Sequence, residues 1–392
     1  MPWKEVSTMS QRAEFAVLSC LEGANMSALC RRFEISRETG YKWRTRFQAD
    51  GPAGLLDRAR RPIQSPDRTS DALEQRVLAA RDQHPAWGGR KLRRHLQNLR
   101  VAHVPAASTI TQILRRHDRL NAMDGAGQPR AAQRFERAAP NELWQMDFKG
   151  HFALTNGERC HPLTILDDHS RFSICLQACG NEQSATVSAA LIDVFQRYGM
   201  PCGMLMDNGS PWGDEGGQPW THLTAWLVRL GVRVSHGRPC HPQTQGKEER
   251  FHRTLQAEVL RAQSYRDLSH SQAAFDPWRV IYNTERPHEA LGLEVPASRY
   301  RASARSYPVV LPAIEYAPDL EVRKVQGQGE VSFQGRSVRI SSAFAGDPIG
   351  LRATGVDGVY EVHYCHQRVG RVDLRTSTRG GPTVLMARLP RV

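Results

Sequence analysis

Residues 143–149 read Leu-Trp-Gln-Met-Asp-Phe-Lys, and at this stretch the chain changes from helical to alternating periodicity. Successive side chains of a strand point to opposite faces of the sheet. Met146 and Phe148 are therefore predicted on one face, and Asp147 on the other. Asp147 would project from the middle of a strand onto its polar side.

The segments that follow complete an α/β pattern. Two more strands are predicted over 160–167 and 171–179, then a helix over 183–198 and a short buried strand at Gly203–Met206. Further helices and strands alternate beyond it. Three strands followed by this alternation predict an α/β core with a mixed sheet over 141–300.

The segments on either side of the core have different periodicities. Three short helices with helix-turn-helix spacing predict an all-α domain over 1–62, and a second such domain is predicted over 66–120. A linker rich in Ala, Gly, Pro and Arg follows at 121–140. Short alternating strands with Gly turns predict a small β-barrel over 315–392. The chain is therefore predicted to be multidomain.

Positive charge is concentrated in the first third of the 392 residues. The formal net charge is +13, and residues 1–140 hold 25 basic against 14 acidic side chains. A basic N-terminal region of this kind favours a polyanion such as DNA as a partner, although a solvated Arg-rich surface is the alternative. The eight cysteines form no C-x-x-C pair, and no apolar stretch approaches ~18 residues. We expect a soluble cytosolic protein with reduced thiols and no membrane association.

Basic side chains on three predicted helical regions are candidates for contacts with DNA grooves or phosphates. Any one of them could instead be ordinary helix-surface charge. The candidates are Arg37, Lys42, Arg44, Arg46, Arg90, Lys91, Arg93, Arg94, Arg115, Arg116, Lys247, Arg250 and Arg253.

Two further acidic positions stand beside Asp147 as candidates for chemistry. Asp207 ends the short strand and precedes an Asn-Gly turn, so its carboxylate is expected at the strand's carboxyl edge. Glu248 and Glu249 lie in the first turn of a predicted helix. At ~100° per residue, Glu248 projects toward the apolar side of this helix and Glu249 projects away from it. This difference favours Glu249 as the functional acid. A first-turn residue can depart from this rule, so Glu248 remains the alternative.

Three carboxylates from two strands and one helix suit a pair of hard divalent cations, which prefer oxygen ligands. For that reason His236, His241 and His252 are interpreted as loop or DNA-contact residues. Asp168 and its neighbours are interpreted as an ordinary turn.

Three segments together carry a family resemblance. Trp144-Gln-Met-Asp147, Met206-Asp-Asn-Gly209 and His241-Pro-Gln-Thr-Gln-Gly-Lys-Glu-Glu249 resemble the retroviral-integrase-like catalytic core of bacterial insertion-sequence transposases of the DDE type. The resemblance implies a ribonuclease-H-like core, with Asp147, Asp207 and Glu249 as catalytic residues and as ligands of two Mg²⁺ or Mn²⁺ ions. The interval from 207 to 249 is longer than is usual in that group. Asp214 or Glu215 is therefore a less favoured contributor.

The resemblance also implies an activity and partners. A DNA transposase would bind the terminal inverted repeats of its element, cleave one strand and join the freed 3′-hydroxyl to target DNA, in an integration or recombination reaction. Such an enzyme is expected in the bacterial cytoplasm, associated with the nucleoid when bound to DNA, and as a homo-oligomer on double-stranded DNA. The alternatives are a transposase-derived DNA-binding repressor and a metal-dependent nuclease without strand transfer.

Overall fold

The structure is a computed structural model, and it separates into two compact units, Met1–Arg68 and Thr69–Val392. It describes residues 7–58, 69–120, 136–207, 209–213, 220–236, 246–378 and 381–386. Among these residues, no helix is both long and apolar enough to cross a membrane.

The first unit is a three-helix domain with the predicted helix-turn-helix arrangement. Its helices are α1 (Thr8–Ser19), α2 (Met26–Arg32) and α3 (Arg37–Asp50). The side chains of the N-cap residues Ser7, Asn25 and Ser36 each accept a hydrogen bond from a backbone N–H of the first turn.

Close helix packing in this unit depends on one glycine of α3. A Cβ at Gly40 would lie 2.6 Å from Cys30 Sγ and 2.9 Å from Phe15 Cζ. The core holds Phe15, Cys30 and Trp43, all buried. Gly40 therefore allows α3 to approach the other two helices.

The second helical domain begins the other compact unit. It comprises α4 (Asp71–Gln83), α5 (Gly89–Asn98) and α6 (Ala107–Arg116). Trp87 and Leu92 are buried in its core, together with residues of the flanking helices. The helix-turn-helix content predicted for the N-terminal third is thereby confirmed.

A six-stranded mixed sheet forms the core of the chain. Its strands are β1 (Trp144–Phe148), β2 (Phe152–Ala153), β3 (Arg159–Asp167), β4 (Ser173–Cys179), β5 (Gly203–Met206) and β6 (Arg233–His236). Strand β1 pairs antiparallel with β3 and parallel with β5, while β2 and β4 pair with β3 and β6 pairs with β5. The predicted α/β core with a mixed sheet is confirmed.

Helices cover both faces of this sheet. They are α7 (Ser184–Tyr198), α8 (His222–Arg229), α9 (Gly246–Leu255) and α10 (Leu268–Thr284), and a π-helical turn follows α9 at Gln256–Leu260. Because side chains of β3 alternate, Leu163 and Ile165 pack with α7 and α8, whereas Leu166 packs with α9 and α10. Thr164 lies on the α9 side of the sheet for the same reason.

The C-terminal strands form a sheet that is open in its hydrogen bonding. They are β7 (Glu321–Lys324), β8 (Glu330–Phe333), β9 (Arg336–Arg339), β10 (Pro348–Ala353), β11 (Val359–Tyr364), β12 (Gln367–Thr378) and β13 (Gly381–Met386).

Five of these strands pair in the order β13-β12-β11-β10-β7, and β8 and β9 form a separate hairpin. The small β-barrel predicted over 315–392 is therefore not confirmed, because no strand ladder closes this sheet within the described residues. Alternation and turn residues predict strands and hairpins, but ladder closure depends on twist and on strands distant in sequence.

Candidate active site

Asp147 lies at the centre of the candidate site, on β1 between β3 and β5. Its side chain is 24% exposed. Burial raises the pKa of the Asp147 carboxyl to about 7, and the charge of Asp207 is the next largest cause. Glu182 and Glu249 also raise this pKa, while a backbone hydrogen bond from Phe148 opposes the shift. Two of the predicted acids are therefore close enough to act electrostatically on the third.

Asp207 is placed beside Asp147 by the parallel pairing of β1 and β5. The register sets Gln145 opposite Leu205, two residues before each aspartate, so both aspartates are on the same face of the sheet. The Gly209 N–H donates to Asp207 Oδ1 at 3.0 Å, which fixes the carboxylate in a turn. His236 Nδ1 contacts the Asp207 carbonyl oxygen, so β6 supports the same turn.

The two glutamates of α9 have different surroundings. Glu248 is fully buried and Glu249 is exposed, in agreement with the angular prediction. The catalytic role of Glu249 stays a prediction, as do those of Asp147 and Asp207. His241, Asp214 and Glu215 lie outside the described residues.

A threonine hydroxyl connects α9 to the strand that carries Asp147. Thr164 Oγ1 lies 2.9 Å from the Asp147 carbonyl oxygen, 3.0 Å from Glu248 Oε2 and 2.8 Å from His252 Nε2. The pairing of β1 with β3 sets Thr164 directly opposite Asp147. This hydroxyl therefore fixes the depth at which α9 packs against the site.

His252 is part of this arrangement, contrary to its interpretation as a loop or DNA-contact residue. It is on α9, and its Nδ1 lies 3.9 Å from Asp147 Oδ2. Burial, and then the charge of Lys149, lowers the pKa of His252 to about 3, so its imidazole is neutral. His252 follows Glu248 by four residues, so the two side chains lie on the same face of α9, and this spacing is the sequence signal for an inward imidazole.

The surroundings of Glu248 disfavour the charged form of its carboxyl. Burial raises the pKa of the Glu248 carboxyl well above its usual range, and the charge of Asp147 adds to the effect. The Thr164 hydroxyl is a hydrogen-bonding neighbour that either donates or accepts. The Glu248 side chain is therefore buried and bonded to Thr164, whereas the Glu249 side chain is exposed.

A second buried connection joins α9 to the turn after β3. Lys247 Nζ binds Asp168 Oδ1 and lies 3.2 Å from the Asp168 carbonyl oxygen. The same Oδ1 accepts a hydrogen bond from Gln145 Nε2 at 2.7 Å, and Oδ2 accepts one from the Arg137 N–H at 2.8 Å. Asp168 is fully buried, so the interpretation of this segment as an ordinary turn is incomplete. Asp168 therefore connects β1, the segment that precedes β1, and α9, the helix that carries Glu249.

The basic candidates of the first unit remain accessible. On α3, Arg37 and Lys42 are exposed, and Arg44 and Arg46 are half-buried. Lys42 and Arg46 lie over the Trp43 ring, at 5.0 and 5.3 Å from its centroid. These side chains stay candidates for DNA contact.

Several basic candidates of the second unit make contacts within the protein. Arg90 forms an ion pair with Glu289 at 3.2 Å, and Arg116 binds the buried Glu74. Burial, and then the charge of Arg286, lowers the pKa of Lys91 to about 8.

The remaining basic candidates differ in exposure. Arg94 is half-buried and Lys247 binds Asp168, whereas Arg93, Arg115, Arg250 and Arg253 are exposed.

Comparison with known proteins identifies domains along most of the chain. Residues 12–63 match a helix-turn-helix domain and residues 39–114 a homeodomain-like domain. Residues 137–242 and 230–296 each match an integrase core domain, and residues 320–380 match the C-terminal domain of the IS481 family of transposases.

Curated relatives come from bacterial insertion elements. An uncharacterized 31.7 kDa protein of insertion element IS407 from Burkholderia multivorans is 29% identical over 42% of this chain and 58% of its own length. An uncharacterized 39.2 kDa protein of insertion element IS476 from Xanthomonas euvesicatoria is 27% identical over 43% of this chain and 46% of its own length. The chain thus spans about half the length of the curated relatives it matches.

Solved structures of viral integrases also align with this chain. The simian T-cell lymphotropic virus intasome in complex with PP2A regulatory subunit B56 gamma aligns over 73% of this chain and 91% of that chain, with 13% identity and a TM-score of 0.35. The HTLV-2 integrase catalytic core in complex with magnesium aligns over 41% of this chain and 97% of that chain, with 15% identity and a TM-score of 0.32.

The domain matches and the insertion-element relatives agree with the motifs around Asp147, Asp207 and Glu249. Helix-turn-helix domains precede an integrase core, and a transposase-type C-terminal domain follows it. The chain therefore has the domain composition of an insertion-sequence transposase with a retroviral-integrase-like core.

Proposed function

We propose that this chain is a DDE-type DNA transposase. It binds the terminal inverted repeats of its own element, cleaves one strand to free a 3′-hydroxyl, and joins that hydroxyl to target DNA. The observation that carries the proposal is electrostatic: the charges of Asp207 and Glu249 both raise the pKa of the half-buried Asp147. Neighbouring carboxylates that disfavour the ionised form of Asp147 in the free protein are suited to cation binding.

The donor set fits two Mg²⁺ or Mn²⁺ ions. Asp147, Asp207 and Glu249 offer carboxylate oxygens, which hard divalent cations prefer, and His252, neutral and bonded to Thr164, is a poor competitor for such ions. When bound, these cations supply Lewis-acid chemistry, polarising the scissile phosphate and favouring deprotonation of the attacking hydroxyl.

The protein's own contribution is positioning and charge. Thr164 and His252 hold the strand and helix around Asp147 at fixed distances. Asp168 holds the start of α9 through Lys247, so the carboxylate of Glu249 approaches the site from a fixed helix. Exposed Arg250 and Arg253 on α9 are placed to bind backbone phosphates of the DNA end.

The proposed partners follow from the reaction. Double-stranded DNA is bound both as element end and as target, and joining two ends requires at least two copies of the chain on DNA. We place the enzyme in the bacterial cytoplasm, associated with the nucleoid when it binds DNA.

A strand-transfer assay tests this proposal. The purified chain is incubated with Mg²⁺, labelled duplexes carrying the element's end sequence, and a plasmid target. We expect joined products, retained by Asp193→Asn, a control on the exposed face of α7, and lost by Asp147→Asn, which should still bind the end duplex. Binding without cleavage by the unaltered chain would support a repressor instead. Cleavage without joining would support a nuclease. Undiminished joining by Asp147→Asn would refute the assignment.

A further inference from the structure

A second group of potential metal ligands lies away from the carboxylates of the proposed active site. His84, His95 and Glu285 each offer one ligand atom, and these three atoms lie within 4.8 Å of one another. We refer to these residues as the His-His-Glu cluster. Among the described residues, no other group of three His, Cys, Asp or Glu side chains meets this spacing.

The cluster joins two parts of the larger compact unit. His84 directly follows α4 and His95 is on α5, so both belong to the second helical domain. Glu285 directly follows α10, which packs on the sheet of the integrase-like core. Elsewhere in the same junction Ile281 packs against the core of the helical domain. An ion bound by the cluster would therefore link the second helical domain to the core.

Aromatic packing orients both imidazoles. The His84 ring stacks on Trp87 with centroids 3.7 Å apart and an interplanar angle of 6°. The His95 ring stands edge-on to His84 at 5.2 Å and to Trp87 at 5.3 Å. Rings held by such contacts lose little further rotational freedom on binding an ion, which favours metal affinity.

The charge around the cluster also suits a cation. Glu285 adds a negative charge, and it forms no ion pair with a Lys or Arg among the described residues.

Ligand chemistry distinguishes this cluster from the proposed active site. Two imidazoles and one carboxylate match the preferences of Zn²⁺ and related transition metals, whereas three carboxylates match Mg²⁺. Tetrahedral zinc with bonds of ~2.0–2.1 Å needs ligand atoms about 3.4 Å apart. The three ligand atoms, which lie within 4.8 Å of one another, would have to approach each other on binding, and Glu285 is the most exposed of the three side chains.

We propose that the His-His-Glu cluster is a binding site for a divalent transition metal of the Zn²⁺ class, which fastens the second helical domain to the catalytic core. Three protein ligands leave one tetrahedral position for water. The proposal does not depend on strand-transfer activity, because the ion acts on the junction between domains.

Metal titration of the intact chain tests this proposal. The protein is stripped of metal and kept in excess Mg²⁺ so that the active-site carboxylates are occupied. Zn²⁺ binding is then followed by calorimetry, and Co²⁺ binding by its visible absorption. We expect one tight site per chain with the intense absorption of four-coordinate Co²⁺, and a Zn²⁺-dependent rise in the unfolding temperature.

Variants assign the site. Glu285→Gln and His84→Gln change side chains that are not fully buried, and each should weaken Zn²⁺ binding at least about tenfold. Glu289→Gln is the matched control: it removes a carboxylate at the same junction, paired with Arg90 and outside the cluster, and should bind as the unaltered chain does. Circular dichroism confirms that each variant is folded.

Two results would overturn the proposal. One is the absence of a stoichiometric Zn²⁺ or Co²⁺ site in the folded chain. The other is equal Zn²⁺ affinity of the unaltered chain and both cluster variants. Because neither readout involves DNA, failure of this proposal and failure of the transposase proposal are separate outcomes.

Discussion

Replacing Asp147 with Asn should stabilise the metal-free protein at alkaline pH. Folding raises the pKa of this carboxyl from 3.8 to about 7, so its ionised form is less favourable in the folded than in the unfolded chain. For an acid with a raised folded pKa, stability falls as pH rises from the unfolded to the folded value, and the loss is complete above the folded value. Asn carries no charge and escapes this penalty.

The size of this gain in stability follows from the shift in the pKa of Asp147. About three pKa units at 1.36 kcal/mol each give an upper bound of about 4 kcal/mol. Because the side chain is 24% exposed, solvent reduces the penalty, and we expect about 2 kcal/mol at about pH 8. For a compact unit of the size of Thr69–Val392 that corresponds to a rise of about 3 °C in the unfolding temperature. At about pH 5 the advantage should be less than half as large.

Thermal unfolding in a metal chelator, over a pH series, measures this difference. Adding Mg²⁺ should stabilise the unaltered protein at about pH 8 but not the variant, because the ion binds the ionised carboxylate. The exposed Asp193→Asn control should show no pH-dependent gain. A variant that is less stable than the unaltered chain at every pH would refute the claim that burial and neighbouring charges destabilise the ionised carboxylate of Asp147.

Three other predictions concern the helix after the sheet and the first helical domain. Lys247→Met should slow strand joining by about 10- to 100-fold at saturating DNA, and Lys247→Arg should restore most of it, because the buried Asp168 loses and regains its cation. A loss confined to DNA affinity, measured by titration, would show a phosphate contact instead. Glu249→Gln should reduce joining by at least about a thousandfold, whereas Glu248→Gln should change it by less than about threefold, since Gln keeps the shape of the buried side chain and can still bond Thr164. Equal losses in single-turnover assays would contradict this assignment. Gly40→Val should lower the free energy of unfolding of the first unit by about 1–3 kcal/mol, because its Cβ would lie 2.6 Å from a sulfur atom; unchanged denaturant midpoints would argue against this packing.

Local signals were sufficient for much of the fold. Helix-turn-helix spacing predicts the three helices of the first unit, and strand alternation sets the face of Asp147. The separation of Glu248 from Glu249 also follows from sequence, because 100° of helix rotation decides which side chain enters the core. Each of these features depends on residues close together in the chain.

Contacts between segments that are distant in sequence do not follow from local patterns. Thr164 meets His252 across 88 residues, and Asp168 meets Lys247 across 79, so no spacing rule relates them. Asp168 has the sequence context of an ordinary turn. Only the structure shows that it is buried and that it binds Lys247 of α9. Glu285 joins His84 and His95 in the same way, through packing of separate domains. The predicted barrel closure is not confirmed, because local alternation does not determine which outer strands meet.

The most direct test of the central claim is the location of Mn²⁺ in crystals of the chain bound to an element-end duplex. Anomalous scattering identifies the ions independently of the fitted protein atoms. We expect two Mn²⁺ peaks, both contacted by Asp147, with Asp207 and Glu249 completing the protein ligands. Mn²⁺ held by other carboxylates, with these three side chains unliganded on a DNA-bound chain, would contradict the account.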